Sequence, residues 1–223
     1  MPAGFQVFNQ NNIIQIDADY SNLRLITKVT VSPNVVDTAT WCFQRRVDVQ
    51  LPGTMPFVAY TCTSNTWVSV YVSNGVRYAR VENDDGAAVT LYVFDQSPPP
   101  SAGFGFEVFN AQGVIVFSAA ARYCKVLGQT VVNNNSPGGT FSYSGKTVAV
   151  VANNNARTVS AGPSGDVSKW DAVYWNSYCR NSNGSTIVIE YFPTRTLTML
   201  PGPPPNAGLN TSGNYLLVDV TGM

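Results

Sequence analysis

The sequence predicts an all-β fold: two tandem homologous domains, each a β-sandwich or small barrel, followed by an extra C-terminal strand or hairpin. Three observations predict it. Val, Thr, Tyr, Phe, Asn, Ser and Gly dominate, and no long stretch holds a clean 3.6-residue apolar period, so helix has no support. Apolar runs of strand length alternate with Asn/Asp-Gly pairs and proline-rich punctuation. The opening of the chain recurs, shifted by 101 residues.

The elements follow in order. Phe5 and Val7 open a strand, Asn9–Asn12 turn it, and Ile13–Ile16 return. Trp67–Val72 and Val89–Phe94 are strand-like, with Asp85-Gly86 between them as a hairpin signal because Asp and Gly tolerate the positive φ of a tight turn. Ser97-Pro98-Pro99-Pro100 then ends the first unit in a stiff linker. The opening returns as Gly105-Phe106-Glu107-Val108-Phe109-Asn110, with Asn110–Gly113 as turn and Val114–Phe117 as returning strand. Thr147–Val151, Thr186–Phe192 and Tyr215–Val220 are further strands, with loops at Asn133–Gly139, Asn153–Asn155 and Ala161–Gly165.

A second anchor pairs Trp67-Val68-Ser69-Val70-Tyr71 with Trp170-Asp171-Ala172-Val173-Tyr174, and Tyr78-Ala79-Arg80 with Tyr178-Cys179-Arg180. Asp85-Gly86 and its strand parallel Asn183-Gly184 and Thr186–Phe192, and Pro203-Pro204-Pro205 echoes the first linker. The expected division is a first repeat over 1–100, a second over 101–205, and a truncated third over 206–223. In this tail Asn210–Asp219 keep the Asn-x-x-Gly-then-apolar plan of the repeat opening. Such a fragment cannot close its own core, so it is expected to add a strand to the second unit or to a neighbouring subunit.

Composition narrows function. The 223 residues carry 13 Lys+Arg against 13 Asp+Glu, which argues against nucleic-acid binding; Arg45-Arg46 is too short to be a basic patch. Only 12% of residues are charged, against roughly 25% in an average soluble protein, while apolar content stays ordinary, so disorder is not expected. The absence of His removes Ser-His-Asp and Cys-His dyads and any imidazole base. Cys42, Cys62, Cys124 and Cys179 form no Cys-x-x-Cys pair and read as buried thiols. No run approaches the ~20 apolar residues that span a bilayer, so membrane insertion is not expected. The opening Met1–Gln6 lacks the features of a secretory signal, which points to synthesis in a cytosol.

Candidate sites each have a plain structural reading. Asp17 and Asp19 could share a strand face as an acid pair, but their counterparts are Ser118 and Ala120. Glu82, Asp84 and Asp85 lack the spacing of a calcium loop. No catalytic, cofactor-binding or metal-binding residue is assigned, no cofactor is expected, and the protein is read as a non-enzyme. The aromatics Trp67, Tyr71, Trp170, Tyr174 and Trp175 are the candidate glycan or partner contacts, since aromatic faces stack on sugar rings; core or interface packing is the competing role.

The phrase Gly-Phe-x-Val-Phe-Asn-x-x-Gly/Asn followed by an apolar strand, carried by Gly4–Asn12 and Gly105–Gly113, resembles small proteins encoded beside tail-fibre or tail-tip genes of tailed bacteriophages. Asn12 departs from the usual Gly, and this chain carries two units and a stub where many relatives have one. The resemblance implies a virion tail component made in the host cytoplasm. It would work by assembly with other tail proteins and with copies of itself; the alternative is a module that binds a glycan or other receptor on the host surface.

Overall fold

The structure is a computed structural model that describes the chain apart from residues 1–5, 9, 11–13, 18–21, 37–44, 102–104, 134–135, 137, 166–168 and 201–210. Among the described residues there is no helix, and the class is all-β as the sequence predicts. The first half holds β1 (Gln6–Phe8), β2 (Ile14–Asp17), β3 (Arg24–Val31), β4 (Val35–Val36), β5 (Arg45–Gln50), β6 (Phe57–Thr61), β7 (Thr66–Ser73), β8 (Val76–Asn83) and β9 (Val89–Asp95). The second half holds β10 (Glu107–Phe109), β11 (Ile115–Ser118), β12 (Lys125–Asn133), β13 (Gly138–Ser142), β14 (Val148–Asn154), β15 (Arg157–Pro163), β16 (Trp170–Asn181), β17 (Thr186–Leu200) and β18 (Ser212–Asp219).

The repeated opening folds as the same hairpin twice. β1 and β2 pair with Gln6↔Asp17, Val7↔Ile16 and Phe8↔Ile14, with a bulge at Val7/Phe8. β10 and β11 pair with Glu107↔Ser118, Val108↔Phe117 and Phe109↔Ile115, and the bulge falls at Val108/Phe109. Every partner is shifted by 101 residues. In the second hairpin Asn110 sets the turn, its Oδ1 accepting from Gln112 N–H (3.0 Å) and Val114 N–H (2.9 Å). That is how a short Asn side chain organises a turn.

The remaining strands form two large sheets, and both run across the two halves. The six-stranded sheet has the order β12-β18-β14-β6-β9-β3; the larger one has the order β13-β17-β16-β7-β8-β5-β4, with β15 added on β16. The halves meet antiparallel at Tyr60↔Val150 in the first sheet and at Thr66↔Cys179 in the second. Outward from these junctions each half lays down its strands in the same order, β6-β9-β3 against β14-β18-β12 and β7-β8-β5 against β16-β17-β13. β18, the tail strand, lies between β12 and β14 and occupies the place that β9 holds in the first half. The anchors seen in the sequence are partly displaced by this order. Trp67–Tyr71 and Trp170–Tyr174 lie on matching strands, whereas Tyr78-Ala79-Arg80 is on β8 and Tyr178-Cys179-Arg180 on β16.

Turn chemistry is similarly mixed. Asn183-Gly184 lies in the β16–β17 hairpin loop as expected. The β7–β8 hairpin is closed by Asn74-Gly75, both at positive φ (50° and 76°), a pair absent from the expected turns. Asp85-Gly86, by contrast, carries the chain from one sheet to the other, because β8 pairs with β5 and β7 while β9 pairs with β3 and β6.

The core lies between the sheets. Val58, Tyr60, Leu91, Val93, Val150 and Leu217 from one meet Val68, Ala79, Val81, Cys179, Ile187 and Ile189 from the other. The six-stranded sheet buries its opposite face as well, through Ala59, Tyr92, Phe94, Ala149, Val151 and Val218. This explains why β9 reads as a continuous apolar run rather than an alternation. The sheet curls until its edges meet: Leu25 N–H donates to Arg122 O (2.7 Å) and Cys124 N–H to Leu23 O (2.8 Å), joining the starts of β3 and β12.

A polar network crosses the inter-sheet core. The Tyr215 hydroxyl reaches Ser177 Oγ and Asn155 Oδ1 (2.9 Å), and Ser177 Oγ accepts from Ala156 N–H (2.8 Å). Asn155 Nδ2 in turn donates to Val68 O (3.2 Å) in the first half. Burial pushes the Tyr215 phenol far above its ordinary value, so it stays a neutral donor. Tyr215→Phe removes the donor that Ser177 Oγ and Asn155 Oδ1 face across the core and is expected to lower stability by about 1–2 kcal/mol, read by urea unfolding followed by circular dichroism.

Asp219, 5% exposed, is expected to contribute acid sensitivity. Its Oδ2 lies 2.8 Å from Lys146 Nζ, and its Oδ1 accepts from Thr221 N–H (3.0 Å). Burial would raise this carboxyl, but the Lys146 ammonium and the Thr221 donors outweigh it and hold the pKa at about 2. That lies below the ~3.9 of an unfolded Asp, so the stabilisation is complete above about pH 4 and is lost as pH falls toward 2. Because Lys146 is half exposed, screening leaves a contribution of about 1–2 kcal/mol. Thermal melts are expected to drop through that window, and Asp219→Asn to flatten the drop.

Candidate functional site

Side chains on the larger sheet alternate between the core and the outer face. On β7 and β8 the core takes Val68, Ala79 and Val81, leaving Trp67, Tyr71, Tyr78 and Arg80 on the other side. Tyr71 stacks on Tyr78 with ring centroids 5.5 Å apart, and the Arg80 guanidinium lies 5.0 Å from the Tyr71 centroid. Arg80 also makes a two-pronged pair with Asp48 (2.8 and 3.0 Å), whose hydrogen bonds hold the Asp48 carboxyl below its usual value. Tyr71 is therefore occupied by intramolecular partners. Trp67 is half-buried opposite Glu82, and its Nε1 is enclosed without a hydrogen-bond partner among the described residues.

Trp170, Tyr174 and Trp175 lie on β16. Trp170 is half-buried and paired with Leu200 and Pro163, and Tyr174 is buried. Trp175 stacks on Tyr191 at 5.9 Å. The structure thus groups Trp67 with Tyr71 on β7, and Trp170, Tyr174 and Trp175 on the longer β16, without converging the five on one cleft.

What β16 and β17 do bring together is a different set. The register sets Tyr178 opposite Glu190, with Arg180 and Phe192 two residues further along their strands. Tyr178 OH donates to Glu190 Oε2 (2.8 Å), Arg180 Nη1 lies 3.7 Å from the same oxygen, and Arg180 Nη1 donates to Asn65 Oδ1 (3.2 Å) across the junction of the halves. Burial, together with the Glu190 carboxylate that accepts its proton, pushes Tyr178 up to about 12. It is a donor throughout the ordinary pH range. Phe192, 52% exposed, meets Tyr178 edge-on at 6.1 Å. These residues line an open groove of about 610 Å³ with Thr140 and the backbone of Gly138 and Gly139. The sequence signal for it is the period of two in Tyr178/Arg180 and Glu190/Phe192, visible only once the two strands are known to pair.

A second recess of about 730 Å³ lies beside the β10–β11 hairpin, lined among others by Leu23, Phe57, Phe117, Cys124 and Leu216. Phe117 stacks on Tyr123 at 4.9 Å, and Tyr123 Oη accepts from Ser118 N–H (2.7 Å), which fixes the hairpin to the strand that follows. The outer aromatics and Val114 stay in water: Phe106, Phe109 and Val114 are 47%, 50% and 40% exposed.

The other candidates do not assemble. Asp19 and the side chain of Asp17 lie outside the described residues, as does Cys42. Asp85 accepts from Ser64 Oγ and from Ala87 N–H (2.9 Å), the first being the main reason that its carboxyl sits below the usual value. Among the described residues no three His, Cys, Asp or Glu side chains gather as metal ligands. Cys62, Cys124 and Cys179 are free thiols, and burial pushes Cys124 up to about 11 and Cys179 up to about 12, far from thiolate chemistry at neutral pH. Comparison with protein-family models, with curated proteins and with solved structures gives no match for this chain.

Proposed function

We propose that the protein is a structural and interaction component of a bacteriophage tail, at the tail tip or associated with a tail fibre, working through protein–protein assembly in the virion. The observation that carries this reading is the exposure of Phe106, Phe109 and Val114 on the β10–β11 hairpin. These apolar side chains belong to the motif that resembles tail-associated proteins, and they stand on a small rigid element docked through Phe117 and Tyr123. Apolar surface left in water by a folded chain marks an interaction site. An open sheet edge supports it: β4, the last strand of the larger sheet, presents Val35 and Val36, 50% and 64% exposed. Edges of this kind accept a strand from another chain. Self-association and binding to other tail proteins follow from the same surfaces.

The test is the protein composition of purified particles. The chain is expected in virions of the phage that encodes it, and Phe109→Asp is expected to remove it from particles while leaving its circular dichroism and melting temperature unchanged. Absence of the wild-type chain from purified virions would overturn the reading.

A further inference from the structure

We infer that the groove between β13, β16 and β17 is a binding site for a neutral saccharide. Its volume of about 610 Å³ falls within the range of small-ligand sites, roughly 300–1,000 Å³. Its chemistry is selective. A sugar ring presents an apolar C–H face and a rim of hydroxyls that donate and accept at once, so it needs an exposed aromatic plane beside fixed donors and acceptors. Phe192 supplies the plane, braced edge-on by Tyr178. Arg180 supplies donors: among the described residues its Nη1 meets Asn65 and Glu190, and Nε and Nη2 have no partner there, which leaves them for a ligand. Glu190 supplies an acceptor through Oε1, since Tyr178 and Arg180 approach Oε2.

These groups are held before a ligand arrives, which reduces the ordering cost of binding. Arg180 and Glu190 are tied to each other, to Tyr178 on β16 and to Asn65 in the loop before β7. Gly138, paired with Glu190, places no side chain beside the carboxylate, so the edge of the groove stays open. The Arg180 and Glu190 charges cancel, which favours an uncharged ligand over a phosphate or an acidic sugar. Two other candidates fail these criteria: the larger recess beside the second hairpin is lined mainly by apolar residues, and Tyr71 is already covered by Arg80. This inference does not depend on tail assembly, because the groove lies on β-strands remote in sequence from the hairpin.

The experiment is saturation-transfer difference NMR on the full chain. The probes are glucose, galactose, mannose, N-acetylglucosamine and their disaccharides at millimolar concentration. Transfer to the ring C–H protons of at least one probe is expected, with affinity at least tenfold weaker in Phe192→Ala and in Arg180→Ala, and unchanged in Phe109→Ala. Phe192 and Arg180 are both surface side chains, and a matching melting temperature verifies that each variant is folded. Absence of transfer to every probe, or transfer retained at wild-type affinity in both groove variants, would overturn the assignment.

Discussion

Phe94→Ala is expected to lower the stability of the protein by about 3–5 kcal/mol, the range for removing a fully buried aromatic ring. Phe94 is 0% exposed and sits inside the curl of the six-stranded sheet, between Leu25 on β3 and Phe57 on β6 in the ladder. Among the other side chains of this layer, which include Tyr92, Val151 and Val218, Ala59 and Ala149 are too short to fill the gap. Nor can the backbone collapse easily, because the hydrogen bonds between Leu23–Leu25 and Arg122–Cys124 fix the circumference of the curl. The cost therefore combines lost burial with a cavity that persists. Guanidinium unfolding of wild type and variant measures it, and a loss below about 1 kcal/mol contradicts the closed curl.

Gly138→Ala is expected to be the most damaging small change at the groove. Gly138 has φ +111°, where an L side chain is strained by about 1–3 kcal/mol, and an added Cβ would collide with the Ile189 carbonyl oxygen. That oxygen belongs to the backbone of β17, the neighbour of β13, so no side-chain rotation relieves the clash. β13 has to move away, taking the groove edge beside Glu190 with it. Loss of roughly 2–4 kcal/mol is expected once displaced ladder hydrogen bonds are added to the strain. Hydrogen exchange is expected to show faster exchange confined to 138–142 and its partner segment 186–190. Gly139→Ala is the control, since a Cβ there meets only the Phe141 ring at 3.7 Å and no backbone.

The hairpins show how far the sequence could be read. The phrase at Gly4 and Gly105 carries its turn residues and its alternation together, and it folds to the same register and bulge in both places. The all-β class was legible for the same reason: turn-forming Asn and Gly break strand-length apolar runs. The arrangement of the strands was not legible, because side chains that alternate about a sheet are interchangeable between neighbouring strands. Asn183-Gly184 followed by Thr186–Phe192 resembles Asp85-Gly86 followed by Val89–Phe94, yet β17 sits at the place of β8 in the sheet order. β5 stayed hidden because Arg45, Arg46 and Asp48 mask the two inward residues Val47 and Val49. The groove was invisible for a related reason. Tyr178, Arg180, Glu190 and Phe192 mean little on separate strands, and only the Tyr178↔Glu190 register gathers them. Trp67 and Tyr71 carried the clearer sequence signal, but Tyr71 is covered by Arg80.

Continuity of both sheets across the halves bears on how the chain is made. As synthesis proceeds, β6 and β7 emerge long before β14 and β16 exist, so Tyr60 must wait for Val150 and Thr66 for Cys179. During that interval the nascent chain carries two bare central strands, which are templates for pairing with any other unfinished copy. A cell producing the protein at high rate faces its greatest aggregation risk before β14 and β16 have left the ribosome, and slower translation or a bound chaperone relieves it.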